Sequence, residues 1–175
     1  MSTTPIRTGI DYDKQGKQWG TLSVPYSYNL SGWSKVQIPI AQISNGSGPT
    51  VLLMAGNHGD EYPGQVAIMR NAGIAGGTSS GADHHDSNPE CSASRASTRL
   101  SPVDGKNLNR CFPGNPVGTI TEVIAHYLTT ELFPISDIVI DLHTGGRGIY
   151  FYPCAHMHLV DDLEQRRRMG GGDGV

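Results

Sequence analysis

Residues 55 to 68, "AGNHGDEYPGQVAI", set His58 and Glu61 three residues apart, directly after an apolar run. Two histidines and one glutamate, with a fourth position left to water, are a common zinc set in hydrolases. A tight strand-to-helix turn can bend a His-x-x-Glu spacing toward one ion. The third ligand has to come from elsewhere, and His143 is well placed, because it follows "DIVID" much as His58 follows "TVLLMAGN". Ligands just past the carboxyl ends of two strands converge where open α/β sheets build their sites. The alternative is that His58 and Glu61 are surface-loop polars, since so short a motif recurs by accident. A second candidate stretch is "DGKNLNRCFPG", residues 104 to 114. Its Asn109 and Arg110 offer amide and guanidinium donors suited to a carboxylate, against the plainer reading of an Asn/Gly turn with an exposed arginine. Arg99, in "STRLSP", is a weaker signal of the same kind.

These residues need elements to hold them. "QWGTLSVPYS" (18–27) and "KVQIPIAQI" (35–43) alternate apolar and polar residues, as half-buried strands do. "NGSGP" (45–49) reads as a turn, and "TVLLMAG" (50–56) as a strand covered on both faces. A helix is expected from near Glu61 through "QVAIMR". In "GTITEVIAHYLTTELF" (118–133), Ile120, Val123, Ile124, Tyr127, Leu128 and Leu132 recur at helical spacing, with Thr119 and Glu122 fitting a capping box. "SDIVIDLHTGG" (136–146) reads as a second buried strand ending in a glycine turn. Strand, helix, connector, helix, strand implies an α/β fold with an open, mixed and partly parallel sheet. The leading strands are expected as an antiparallel edge or a small appended sheet.

Composition excludes several function classes. Thirteen basic against 16 acidic residues give a net charge of -3, with no basic stripe for nucleic acid or an anionic membrane. No apolar stretch approaches the roughly 20 residues of a membrane helix, and the polar N-terminus is neither a signal nor a transit peptide. The three cysteines, Cys91, Cys111 and Cys154, are scattered and odd in number, which fits a reducing cytoplasm.

"GNHGDEYPGQ", "GKNLNRCFPG" and "DLHTGG" occur here in the order found in the succinylglutamate desuccinylase/aspartoacylase family, relatives of the zinc carboxypeptidases, and the chain resembles that family over residues 10–70 and 98–169. The opening "GKQWGTLSVPYS" is similar to its branch of N-acetyl-diaminobutyrate deacetylases of ectoine breakdown. The resemblance implies a zinc carboxypeptidase-like fold and one zinc ion bound by His58, Glu61 and His143. It also implies that Asn109 and Arg110 hold the carboxylate of a small N-acyl amino acid and that Arg99 polarises the scissile carbonyl. Neither a nucleic acid nor a membrane partner is expected, and oligomeric state is not legible. The family's general base is a glutamate on a late strand beyond this sequence. Glu122, Glu131 and Glu164 do not match its motif, so the catalytic domain is expected to be incomplete and its turnover impaired, leaving a zinc- and carboxylate-binding fragment or a gene remnant as the alternative.

The expected organisation is N-terminal strands over 1–47, a partial zinc-hydrolase domain over 48–169 and a disordered tail over 170–175. Residues 71–97 have almost no large apolar side chains and no period, and read as disordered or out of frame. His84, His85 and Asp86 inside that tract, and the His156/His158 pair, are expected to face solvent. Cys111 and Cys154 are expected to be packing residues.

Overall fold

The computed structural model describes residues 4–28, 31–73, 91–157 and 161–168. Strands β1 (Arg7–Thr8), β2 (Gly16–Tyr28) and β3 (Ser31–Ser44) form an antiparallel sheet in that order. It is separate from a two-stranded parallel sheet of β4 (Val51–Ala55) and β5 (Ile138–Leu142). The leading strands therefore make an appended sheet rather than an edge of the parallel one. Among the described residues four α-helices accompany them: α1 (Tyr62–Asn71), α2 (Cys91–Ala96), α3 (Ile120–Tyr127) and α4 (Leu163–Arg168). The mixed α/β class and the partly parallel pairing read from the sequence are both present.

Alternation does its expected work in the hairpin. Leu22, Val24 and Ile38 point to one face and are buried there with Ile6. Against them lies the apolar stripe of α3, with Ile120, Val123, Ile124 and Tyr127 all buried. The α3 start is fixed by its predicted box: the Thr119 N–H donates to Glu122 Oε2 at 2.8 Å. Asp104 adds a second clamp, accepting from the Thr121 N–H at 3.0 Å and from its hydroxyl at 2.8 Å. The helix then continues through a π-helical turn, Leu128–Leu132, and a short 3-10 turn, Phe133–Ile135, which deliver the chain to β5.

The register of the parallel pair decides where the candidate ligands stand. The Thr50 N–H donates to Asp137 Oδ2 at 2.7 Å, and the Asp137 N–H donates back to the Thr50 carbonyl at 2.9 Å. From that clamp Val51 pairs with Ile138 and Ala55 with Leu142, so the two strands end level. Helix α1 lies across this end: a Cβ on Gly64 would come within 2.8 Å of Leu142 Cβ and 3.1 Å of Ala55 Cβ. Trp19 Nε1 donates to the Ala72 carbonyl at 3.0 Å and ties the far end of α1 to β2.

Three readings are corrected. "TVLLMAG" and "SDIVIDLHTGG" do not form strands covered on both faces: Val51, Leu53, Ile138, Val139 and Ile140 are each 42–46% exposed. Continuous apolar runs signal a capacity for burial, but the described residues cover both faces only in part: Ile138 and Val139, on opposite faces of β5, are both exposed, and a cavity of about 710 Å³ lies between β3 and β4. The aperiodic tract is helical where it meets the turn after β4. Residues 91–96 form α2, with Ala93 and Ser94 buried. Short helices of small residues carry no apolar period, and this one is held by close approach to Gly59, where a Cβ would collide with the Ala93 backbone. Cys154 is exposed rather than packed, while Cys111 packs against the core as expected. Residues 74–90, with His84, His85 and Asp86, lie outside the described residues, as do His158 and the tail over 170–175; His156 is described and exposed.

Gly64 is thus the contact that lets α1 seat its first turn on the strand ends. Gly64→Ala is expected to destabilise the fold by about 1–3 kcal/mol through overpacking, read as a lower urea midpoint at unchanged m value. A variant as stable as the parent would mean that α1 does not sit this close.

Candidate metal centre

His58 lies three residues past β4, and its carbonyl accepts from the Glu61 N–H at 3.3 Å, closing a turn that brings the two side chains together. Gly59 sits inside that turn beneath α2, and Pro63 opens α1, where its missing N–H costs nothing. His143 is the first residue past β5. Level strand ends therefore deliver both histidines to one place. His58 Nδ1 is 2.7 Å from Glu61 Oε1, and His143 Nδ1 is 2.9 Å from Glu61 Oε2. The ligand-type atoms of the three residues all lie within 4.8 Å of one another, with imidazole centroids 5.1 Å apart.

Glu61 is the hub. Its side chain is 2% exposed, and besides the two imidazoles it accepts from the Thr144 N–H at 2.9 Å and from Arg99 Nη1 at 3.2 Å. Burial pushes its carboxyl upward, but the Thr144 N–H, His143 and His58 outweigh that and hold it below the usual carboxylate range. The Thr144–Gly146 turn is itself constrained: Gly146 has φ +58°, and a Cβ there would meet Asp60 Oδ2 at 2.5 Å. His143 Nε2 lies 2.8 Å from Asp141 Oδ2. That hydrogen bond raises the His143 pKa to about 9, burial opposing it and the charges of Asp141 and Glu61 adding to it.

Two nitrogen donors and one carboxylate, all but His143 deeply buried, suit a divalent ion of zinc's preferences. Two imidazole Nδ1 atoms aimed at the two oxygens of one buried carboxylate are complementary with a proton on each nitrogen or with a cation among the three groups. The donor set thus fits a zinc ion.

All three sequence-predicted ligands come together. Arg99 joins them through Glu61, although its side chain is 57% exposed. It is carried there by the segment after α2, which Tyr62 secures, its hydroxyl donating to the Ser94 carbonyl at 3.0 Å and lying 2.6 Å from Ser97 Oγ. Asn109 reaches the rim, its Nδ2 3.4 Å from His143 Nε2. Arg110 is exposed, with Nη1 donating to the Asn109 carbonyl at 3.1 Å rather than to the cluster. Glu122 pairs with Lys106 at 2.7 Å, and Lys106 with the Thr119 N–H holds its carboxyl down at about 2.

Sequence reasoning missed Asn57, Asp141 and Thr144. Asp141 stands two residues before His143, on the same face of an extended chain, so the period of a strand carried a signal for it. Asn57 and Thr144 carried none, because their contacts depend on how the strand ends meet.

Comparison with known proteins places these features in a family context. Residues 47–170 match the succinylglutamate desuccinylase/aspartoacylase catalytic domain. The chain is 43% identical to an N-alpha-acetyl-L-2,4-diaminobutyric acid deacetylase of Halomonas elongata over 94% of this chain and 48% of that protein. Among solved structures it is similar to a succinylglutamate desuccinylase from a Silicibacter species, with TM-score 0.72 and 42% identity over 83% of this chain and 45% of that one. It is also similar to the product-bound ectoine utilization protein EutE (DoeB) of Ruegeria pomeroyi, with TM-score 0.70 and 40% identity over 83% and 44%. The chain spans about half the length of these relatives.

The raised His143 pKa sets a pH dependence. A metal needs the unprotonated Nδ1, so zinc affinity is expected to rise about tenfold per pH unit from 6.5 toward 9 and then level off. The same group contributes stability to the metal-free fold that is fully present below 6.5 and is lost as pH rises through about 9. Chelator competition across this range checks the slope, and a flat profile would count against His143 as a ligand.

Proposed function

Because the chain belongs to the succinylglutamate desuccinylase/aspartoacylase family, a family of amide-cleaving enzymes, we propose that it carries the metal-binding part of a zinc-dependent deacylase site for small N-acyl amino acids. N-acetyl-diaminobutyrate is the substrate to test first, given the Halomonas relative's name. One observation carries this reading: His58, Glu61 and His143 converge at the level ends of two parallel strands.

A zinc ion held by His58, Glu61 and His143 would supply a Lewis acid for the scissile carbonyl and lower the pKa of a water toward about 7. The remaining work belongs to the chain. Asn109, beside His143 on the rim, and Arg110, exposed next to it, would bind the substrate carboxylate as a donor pair. Arg99 is the cation beside the cluster, suited to drawing charge onto the carbonyl oxygen during attack. Thr144 and Arg99 hold the Glu61 carboxylate in place while it serves as a ligand. The reaction takes place among small molecules, and the free thiols of Cys111 and Cys154 support a reducing cytoplasmic setting.

A proton must also leave the attacking water and reach the leaving amine. Among the described residues Glu122 is committed to Lys106 and Thr119, Glu131 lies on the π-helical turn after α3, and Glu164 is exposed on α4. Asp141 is engaged by His143. That distribution favours a second reading in which these 175 residues bind zinc and a carboxylate with little or no turnover.

The two readings separate in one experiment. Zinc stoichiometry by chelator competition and acetate release from N-acetyl-diaminobutyrate are measured on the same preparation, beside a full-length relative. One zinc per chain is expected, with acetate release about 10²- to 10⁴-fold below that of the relative or absent. Chelator-sensitive release at the relative's rate would overturn the impairment, and no zinc uptake would overturn the metal site.

A further inference from the structure

Asp141 is outside the ligand set, yet it is tied into the site on two sides. Asn57, buried two residues past β4, donates its Nδ2 to Asp141 Oδ2, and the same oxygen lies 2.8 Å from His143 Nε2. Asp141 pairs with Met54 across the parallel sheet, so Asn57 reaches over the strand ends to meet it. The contact joins the connection after β4 to the ligand carried by β5.

A neutral imidazole has one proton and two nitrogens, and its neighbours choose the nitrogen that keeps it. Two groups face His143 Nε2, and they ask for opposite things. Asp141 Oδ2 at 2.8 Å only accepts, which places the proton on Nε2 and leaves the Nδ1 lone pair toward Glu61. Asn109 Nδ2 at 3.4 Å only donates, which would place the lone pair on Nε2 and turn an N–H toward the cluster. Glu61 Oε2, 2.9 Å from Nδ1, also only accepts and draws the proton the other way. Asp141 Oδ2, the nearer of the two carboxylate oxygens, holds it on Nε2 as long as it stays aimed at the ring, and Asn57 is the group that aims it.

We propose that Asn57 and Asp141 form a positioning pair that fixes the Nε2–H tautomer of His143, so that Nδ1 is its metal-facing atom. This rests on the zinc reading above for its purpose but not for its geometry. Asn57 acts only through Asp141, and neither residue is catalytic. Outer carboxylate partners of histidine ligands commonly change metal affinity by about 10–100-fold.

The test uses the 175-residue chain and two readouts, zinc affinity by chelator competition and histidine ring 15N shifts in the metal-free chain at pH 10. The His143 signal is assigned by its loss in His143→Gln. Asp141→Ala is expected to weaken zinc binding about 10–100-fold and to move His143 away from the Nε2–H form. Asn57→Ala should weaken it less, and the double variant should bind no more weakly than Asp141→Ala alone. Asp141→Asn keeps the shape and an oxygen that Asn57 can orient, so it should restore most of the affinity; in Asn57→Ala/Asp141→Asn that rescue should vanish. Where Asp141→Ala fails to fold by circular dichroism, the Asp141→Asn pair carries the comparison. Additive losses, a rescue indifferent to Asn57, or an unchanged tautomer in Asp141→Ala would each overturn the pairing. A parent chain that takes up no zinc would sink the metal reading, while the ring shifts would still decide the tautomer.

Discussion

A carboxylate at 2% exposure is the constraint on which the rest of this structure depends. Glu61 loses its hydration when α1 seats on the strand ends, and an uncompensated buried charge would cost several kcal/mol. Compensation arrives as four groups from three separate segments: His58 from the turn after β4, Arg99 from the segment after α2, and His143 and the Thr144 N–H from the end of β5. None of those segments is optional while Glu61 remains ionised. The site and the fold are therefore stabilised by the same contacts.

That coupling explains why small residues stand where they do. Gly59 admits the α2 backbone and Gly64 admits Leu142, so two helices approach the strand ends more closely than a side chain would allow. The approach brings α2 near enough for Tyr62 to hold it, which in turn fixes the segment bearing Arg99. Packing at two glycines thus becomes electrostatics at one carboxylate.

The hydrophobic organisation is divided. The hairpin and α3 share a contiguous core around Val24 and Ile124, whereas the parallel pair keeps an exposed apolar face. The candidate centre belongs to the parallel pair, so its geometry rests on polar clamps, Thr50 with Asp137 at one end and Asn57 with Asp141 at the other, more than on burial. In the longer relatives the matched region is slightly under half of each protein.

By itself the sequence determined the elements and the ligand types. Alternation marked β2 and β3, the spacing from Ile120 to Leu132 marked α3 together with its Thr119–Glu122 box, and the parallel strands with His58, Glu61 and His143 were legible as short apolar runs followed by side chains of metal-ligating type. These are local properties, set by which face a residue takes within a few neighbours. Only the tertiary structure decided the level register that brings His143 to Glu61, the helix formed by residues 91–96, the exposure of Val51 and Ile138, and the placement of Asn57, Asp141 and Thr144 around the ligands. Each of these depends on contacts between segments tens of residues apart, and no period or spacing within one segment records which partner it will meet.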